Sequence, residues 1–179
     1  MCAMAQWKVD PDHSVAAFSI RHMMIAHVRG QFNKIAGTIE FDPQDIGGSS
    51  VELTIEAAHI NTGIQKRDDH LRSSDFFDVT THPAITFISR RVDSVKGNRA
   101  AVTGDLTLHG ITREVTVAAE FHGPVKDPFG DGISMGFTGS AVINREDFGM
   151  TWNQPMADNG LMLGREVMLY IDLEADQVP

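Results

Sequence analysis

Apolar and polar residues alternate with a period of two along most of this chain, which is the pattern of half-buried β-strands. In the segment 50–58, Val51, Leu53 and Ile55 alternate with glutamate and threonine. The same alternation predicts strands at 13–24, 28–42, 50–58, 84–95, 100–108, 112–125, 133–143 and 165–174. About eight strands with hairpin-sized connections are typical of an up-and-down antiparallel barrel.

Two local features refine these strands. The apolar phase slips between Phe32 and Ile35, so we predict a β-bulge near residues 33–36 of the second strand. His109-Gly110 separates two alternating segments and predicts a tight hairpin turn.

Between the third and fourth strands, the alternation gives way to one short predicted helix. Thr62 and Gln65 have the spacing of a capping box, in which each side chain satisfies a backbone amide of the first turn. Asp68 and Arg72 lie four residues apart, so a helix would place them on one face. A lone helix in an all-β chain either plugs one end of the barrel or covers the mouth of an internal cavity.

The run Arg67-Asp68-Asp69-His70 of this helix has two interpretations. Exposed helical charges usually form a solvated, ion-paired face, which here would lock the helix onto the barrel. Alternatively, Arg67 or His70 contacts the polar head of an apolar ligand at the mouth. Arg145 could share either role.

Methionines cluster at strand ends and in the segment 149–164. Thioether side chains adapt their shape, so they suit a mouth that moulds around a flexible chain, but they fill cores as readily. Both interpretations stay open.

Composition and charge narrow the function classes. The 179 residues are 42% hydrophobic and 22% charged, which predicts a single soluble domain over 1–179 with residues 1–5 disordered. A formal net charge of −9 disfavours nucleic acid and anionic membrane surfaces as partners.

No apolar run approaches the ~20 residues of a spanning helix, so we expect no stable membrane insertion. Cys2 has no second cysteine to pair with, and no export signal is visible, so we expect a cytoplasmic location.

Catalytic and metal-binding patterns are weak. The stretch 132–136 has the letters G-x-S-x-G, but it lies within strand alternation and no histidine follows His122, so the order of a hydrolase triad cannot be met. We therefore predict no enzymatic activity. His59, His70 and His82 surround the helix and form the one constellation that would suit a metal or haem.

Several motifs in a consistent order resemble the YceI-like family of polyisoprenoid-binding proteins. They are the opening DPDHSVAAFSIRHMMIAHVRGQFNKIAGTIEFDP, the helical TGIQKRDDHLRSSDFFDVTTHPAITF, the hairpin VTGDLTLHGITREVTV and the late INREDFGM. The resemblance implies an all-β fold, namely an extended, eight-stranded, lipocalin-like antiparallel barrel with one short helix after the third or fourth strand. It also implies an isoprenoid chain held inside, and it raises a homodimer as a candidate assembly.

The expected function is therefore to bind and carry or sequester an amphipathic isoprenoid lipid, a polyprenyl chain or an isoprenoid quinone, with no cofactor or metal required. The residues expected to contact its tail are Phe18, Ile20, Phe41, Leu53, Ile55, Phe76, Phe77, Phe87, Leu106, Leu108, Val117, Phe137 and Leu169. Those expected near its head are Arg67, His70 and Arg145. Two alternatives remain: a histidine-dependent metal or haem protein, and a solid-core barrel that acts as an interaction module.

Overall fold

The computed structural model describes residues 4–128, 130–157 and 160–179, apart from the side chain of Ser94. The strands in this part of the chain are β1 (Ala5–Val9), β2 (Val15–His22), β3 (Ala26–Phe32), β4 (Ile35–Phe41), β5 (Ser50–Glu56), β6 (Ile60–Asn61), β7 (Ala84–Lys96), β8 (Arg99–Leu108), β9 (Ile111–Lys126), β10 (Ile133–Asn144) and β11 (Leu163–Gln177). The α-helix α1 spans Gln65–Arg72. Residues 1–3 of the terminus that we expected to be disordered, including Cys2, lie outside the described residues, whereas Ala5 already begins β1.

The strands form one antiparallel sheet that closes into a barrel. Neighbours follow the order β1-β4-β5-β7-β8-β9-β10-β11, and β11 pairs with β1 to complete the ring. β2 pairs with both β11 and β3, so β1 and β2 are two halves of one bent strand, and β3 and β4 are two halves of the next. The predicted eight-stranded antiparallel barrel with one short helix after its third long strand is confirmed.

The division between β1 and β2 comes from a turn centred on Asp10. Its carboxylate accepts a hydrogen bond from the Asp12 amide at 2.8 Å and lies 2.7 Å from Nδ1 of His13. Alternation alone placed the start of the first strand at residue 13, because the apolar residues of β1, Trp7 and Val9, are separated by a single lysine and followed by a polar stretch.

The prediction of one continuous strand over 28–42 with a bulge was wrong. β3 ends at Phe32, which pairs with Ile60 of β6, and β4 begins at Ile35, which pairs with Ile55 of β5. Because the two halves have different neighbours, the chain breaks at residues 33–34. Phe32 and Ile35 are 6% and 2% exposed, so the break keeps both sides of the phase slip buried.

The predicted turn at His109-Gly110 is confirmed. Both residues have positive φ values, 52° and 71°, and the turn joins β8 to β9. Two successive left-handed residues match the twist of the flanking strands, which is why such turns close tight hairpins.

The predicted capping box at the start of α1 was wrong. Ile64 is the residue before the helix, and no side chain caps the first turn. Instead, the backbone amide of Thr62 donates to the Asp68 carboxylate at 2.9 Å, and the Thr62 hydroxyl donates to the same oxygen. Asp68 is 6% exposed, so this buried carboxylate joins α1 to the loop before it.

Asp68 and Arg72 both lie in α1, as predicted, and the ion-pair partner of Arg72 is Asp69, at 3.0 Å. The Arg72 guanidinium also donates to the carbonyls of Ala58 and Ile60 at 2.8 and 2.9 Å. These bonds fasten α1 to the chain that leaves β5. Asp68 and Asp69 of the charged run, together with Arg72, therefore hold the helix in place, which is the structural role expected of the run.

One end of the barrel, which we call the closed end, is filled by Trp7, Phe41, Phe121, Met135 and Phe137. The Phe41 ring lies 4.7 Å from Phe121 and 5.4 Å from Phe137, centroid to centroid. Trp7 is 3% exposed and its indole N–H donates to the Phe41 carbonyl at 3.2 Å. Aromatic rings in such contact close this end, and the one indole N–H among them has an acceptor.

Candidate ligand cavity

An elongated cavity of about 380 Å³ lies inside the barrel. On β11 its lining extends from Leu163 to Leu173. Ten residue steps correspond to about 33 Å along a strand, or about 25 Å along the axis of a barrel whose strands tilt by about 40°. The cavity is therefore long and narrow, which suits a chain-like ligand better than a compact one.

The walls are apolar. Most of the residues predicted to contact a lipid tail line the cavity, namely Phe18, Ile20, Leu53, Ile55, Phe76, Phe77, Phe87, Leu106, Leu108, Val117, Phe137 and Leu169. Small residues on β9 and β10 face the same space and keep it open: Ala119, Gly139 and Ala141. The positions of these residues in the cavity wall are observed, and their contact with a ligand stays a prediction.

Phe41 does not line the cavity. It is 5% exposed and belongs to the closed end, where its ring contacts Phe121 and Phe137. Alternation placed Phe41 correctly on the inner face of its strand, but the cavity ends above it. The depth at which a barrel fills depends on side chains from several strands, so the pattern of one strand could not show it.

Sequence reasoning overlooked two groups of lining residues. The first carries the same alternation as the predicted set and could have been found: Ile39, Val51, Ile85, Val102, Val115, Val167, Ile171 and Leu173. The second comes from the helix and from irregular segments, where no periodic pattern exists: Leu71, Met150, Trp152 and Met162. Met150 and Met162 belong to the methionines whose role the sequence left open, and both face the cavity.

The other end of the barrel, which we call the helix end, is formed by α1 and by the 3-10 helix Arg145–Phe148. Its aromatic members make edge contacts across the opening. The His70 ring lies 4.7 Å from Trp152 and 5.1 Å from Phe76. Because α1 and the segment after it carry His70, Leu71, Phe76 and Phe77 into the cavity wall, the helix covers the mouth of a cavity.

Arg145 is the most unusual residue of this end. It is 2% exposed, and no carboxylate of the described residues lies within ion-pair distance of its guanidinium. Its Nε donates to the Gly164 carbonyl at 2.9 Å, and Nη1 donates to the carbonyls of Met150 and Trp152. Nη2 is buried and has no partner among the described residues. Burial lowers the pKa of this guanidinium from its ordinary value, and the neighbouring charge of Glu146 acts in the opposite direction.

Arg67 and His70 also line the cavity, but both are engaged by neighbours. Arg67 donates from Nε to the Thr62 hydroxyl at 2.7 Å and from Nη2 to the Thr62 carbonyl at 2.8 Å. His70 Nε2 lies 2.8 Å from Asp75, and its side chain is 40% exposed. Of the three predicted head-group residues, Arg145 is thus the one with an unsatisfied donor inside the protein.

The metal or haem constellation that the sequence left as an alternative is not formed. His59 lies 3.2 Å from Glu56, His70 pairs with Asp75, and the ring of His82 contacts His109 instead. These histidines surround the helix in sequence, but the chain sends them to different neighbours.

The G-x-S-x-G letters begin one residue before β10, and the serine lies within that strand, as alternation predicted. The Ser134 hydroxyl donates to the carboxylate of Asp176 on β11 at 2.6 Å. No sharp strand-to-helix turn exists at this position, so the motif lacks the geometry of a nucleophile elbow.

In the described part of the chain, no helix has the length and hydropathy needed to cross a bilayer.

A closed antiparallel barrel of eight long strands with an apolar internal cavity is the architecture of lipocalin-like binding proteins. Residues 7–175 match the YceI-like domain family, and the chain belongs to this family. The resemblance seen in the sequence motifs is therefore confirmed.

Relatives support the assignment over nearly the full length. The UPF0312 protein of Staphylococcus aureus strain MSSA476 is 37% identical over 164 residues, which cover 92% of this chain and 93% of that protein. A UPF0312 protein of Staphylococcus epidermidis strain ATCC 12228 is 35% identical over the same shares of both chains.

Solved structures show the same fold. The crystal structure of Burkholderia cenocepacia BcnA has a TM-score of 0.80 and 26% identity, covering 93% of this chain and 98% of its own. The Campylobacter jejuni YCEI protein has a TM-score of 0.77 and 29% identity, covering 89% and 90%. A polyisoprenoid binding domain from Saccharophagus degradans matches at a TM-score of 0.68 and 16% identity over 98% and 99%, which shows the fold alone.

Proposed function

We propose that this protein binds an amphipathic isoprenoid lipid inside its barrel and carries or sequesters it without catalysing a reaction. The observation that carries this proposal is the long apolar cavity, which is closed by aromatic rings at one end and has at the other a buried guanidinium whose Nη2 has no partner among the described residues. The polyisoprenoid binding of the Saccharophagus degradans domain, as that protein is described, agrees with a ligand of this class.

The cavity shape favours a chain-like tail. Burial of a hydrocarbon contributes about 0.8 kcal/mol per CH₂ as an upper limit, from which the cost of ordering the ligand is subtracted. A cavity about 25 Å long takes up several branched units in a row, given the strand rise and tilt of such a barrel. Methyl branches of an isoprenoid fit between alternating large and small wall residues, such as Leu169 and Ala141, which are paired across β10 and β11.

The polar head belongs at the helix end. Arg145 offers a buried donor with no carboxylate in contact, so an oxygen acceptor on the ligand would satisfy Nη2. Quinone carbonyls and the oxygen of a polyprenyl alcohol or phosphate both meet this requirement. Arg67 and His70, already held by Thr62 and Asp75, would border the head.

A solid-core interaction module lacks the internal cavity seen here, and the metal or haem alternative loses the histidine cluster on which it depended. The cytoplasmic location and the homodimer stay predictions.

A cavity-filling substitution tests the proposal. Ala141→Phe places a ring into the cavity, whereas Val142→Phe places the same ring on the outer face of the neighbouring position, where Val142 is 53% exposed. Organic extracts of freshly purified protein are analysed by mass spectrometry, and uptake of added polyprenol is measured for all three proteins.

We expect the unsubstituted protein and Val142→Phe to yield or take up the lipid, and Ala141→Phe to lose it. Overpacking a filled core typically lowers the free energy of unfolding by about 1–3 kcal/mol. Because the ring of Ala141→Phe enters free space, we expect this variant to avoid that loss. Absence of lipid in the fresh protein together with no uptake, or full uptake by Ala141→Phe, would contradict the proposal.

A further inference from the structure

We propose that Asp78, His82 and His109 form a binding site for a divalent transition-metal ion of the zinc class. One ligand atom from each residue lies within 4.8 Å of the other two. Two imidazoles and one carboxylate are a common ligand set for Zn²⁺ and related ions, with a further position left for water. None of the three residues lines the lipid cavity, so the site is independent of the proposed function.

Two of the three side chains lack a polar partner among the described residues. Among the described residues, neither the Asp78 carboxylate nor the His82 imidazole forms a hydrogen bond or an ion pair. Both residues are half-buried, where polar groups ordinarily find partners. A cation between them would satisfy both at once.

His109 is held in an orientation that suits a ligand. Its Nδ1 lies 3.0 Å from the Phe148 carbonyl, and since a carbonyl only accepts, Nδ1 carries the proton. In the neutral imidazole, the other nitrogen, Nε2, then has the lone pair that a metal ion needs. A histidine that donates one ring N–H to a backbone carbonyl and offers the other nitrogen is the usual arrangement around protein-bound metals.

The backbone brings the three residues together from distant parts of the chain. The Asp78 carbonyl accepts the amides of Thr81 and His82 at 3.0 and 2.8 Å, so a tight turn sets Asp78 beside His82. His109 comes from the β8–β9 turn, and the His82 and His109 rings lie 5.1 Å apart. A Cβ atom on Gly110 would stand 2.5 Å from Cε1 of His82, so only glycine at this turn lets the His82 ring approach.

A second group, Asp10, His13 and Glu174, has the same spacing but is a weaker candidate. His13 already pairs with Asp10 at 2.7 Å, and its side chain is 65% exposed. This group therefore provides a matched control. His27 on β3, an exposed histidine outside both groups, provides another.

The experiment uses the full chain, freed of metal by chelator and titrated with ZnCl₂ in a calorimeter. Parallel titration with CoCl₂ gives visible absorption bands that report nitrogen and oxygen ligands. The variants are Asp78→Asn, His82→Gln and His109→Asn. Asparagine is chosen at 78 and 109 because these residues have φ values of 43° and 52°, which asparagine tolerates. Circular dichroism and thermal unfolding without metal show that each variant is folded.

We expect one equivalent of Zn²⁺ to bind, and each of the three variants to weaken that binding at least about tenfold. His13→Gln and His27→Gln should bind like the unsubstituted protein. The proposal is overturned if no Zn²⁺ binds at micromolar concentrations, if the three variants keep full affinity, or if His13→Gln removes binding. Polyprenol uptake by the metal-free protein is scored separately, so failure here and failure of the lipid proposal are distinguishable.

Discussion

At the closed end of the barrel, Trp7, Phe41, Phe121, Met135 and Phe137 fill the interior by mutual contact. At the helix end, His70, Phe76 and Trp152 contact one another around an opening instead, and Phe77 contacts Phe32. Both ends are aromatic, so composition does not separate them. The difference is that Trp7, Phe41 and Met135 at the closed end are buried and do not line the cavity, with Phe137 at its boundary, while the rings of the helix end all line it.

The two ends also differ in whether a buried N–H group has an acceptor, as Trp7 and Arg145 show. The indole N–H of Trp7 donates to the Phe41 carbonyl, whereas Nη2 of Arg145 at the helix end has no partner among the described residues. A buried donor without an acceptor costs free energy, typically about 1–3 kcal/mol and more for a charged group. The Nη2 group of Arg145 is therefore available to an acceptor on a ligand, whereas the indole N–H of Trp7 is not.

The largest expected contrast comes from truncating one phenylalanine at each end. Phe41→Ala should lower the free energy of unfolding by about 3–5 kcal/mol, because it opens a void in a filled region. Phe77→Ala should cost only about 1–2 kcal/mol, since its ring already borders a cavity. Urea unfolding of the two variants measures this, and equal losses would remove the distinction between the ends.

Removal of the buried charge of Arg145 tests whether the helix end binds the polar head of a ligand. Arg145→Met should weaken binding of an isoprenoid quinone or polyprenol by about ten- to a hundredfold, which corresponds to a lost hydrogen bond to a charged donor of about 1.5–3 kcal/mol. Binding of a headless isoprenoid hydrocarbon should change little. The matched control is Arg165→Met, since Arg165 is 64% exposed and pairs with Glu146 at 3.1 Å. Fluorescence competition measures both ligands, and an equal loss for both would contradict a head-group role.

A smaller effect is expected from opening the helix end. Trp152→Ala removes the aromatic contacts with His70 and Phe76, worth about 0.5–1.5 kcal/mol beyond burial, so ligand dissociation should accelerate about two- to tenfold. Val125→Ala, at a 61% exposed position of β9, is the control. Stopped-flow transfer of a fluorescent isoprenoid to vesicles gives the rate, and an unchanged rate would show that this contact does not limit exit.

The smallest effect concerns pH and the Asp10–His13 pair between β1 and β2. The hydrogen bond from His13 holds the pKa of Asp10 below its ordinary value of 3.8, and the same bond to Asp10 raises the pKa of His13 above 6.5. The Asp10 contribution is present above pH 3.8 and is lost as pH falls through the lowered pKa. The His13 contribution is present below pH 6.5 and is lost as pH rises through the raised pKa.

The unsubstituted protein should therefore exceed His13→Gln in Tm mainly between pH 3.8 and 6.5, with the difference shrinking on both sides. Thermal unfolding across pH 3–9 measures it. A Tm difference that is constant with pH would show that the pair does not contribute through its charges.

Sequence patterns predicted most of the barrel, because strand alternation is a local property. β7 to β10 begin and end within one or two residues of the predicted segments, as with Ala84–Lys96 against 84–95. The same alternation placed Phe18, Leu53 and Leu169 in the cavity wall. It failed at residues 33–34, where the two halves of a strand change partners, and strand partners are not encoded in the local pattern.

The helix end was harder to predict, since its members come from separate irregular segments. The sequence offered His59 and His70 as candidate neighbours of His82, but His82 meets Asp78 and His109 instead. His109 is the neighbour of His82 because the turn between β8 and β9 lies beside the segment that follows α1.

By itself, the order of apolar and polar residues determined the fold class, the number of long strands and the inner face of each, because a period of two assigns every side chain to one face of a sheet. Only the tertiary structure decided where the interior is filled and where it is empty. That outcome depends on the summed volumes of side chains from all strands of a closed ring. It therefore separated Phe41, which seals the barrel, from Phe137, which borders the cavity, and it left Arg145 buried without an acceptor.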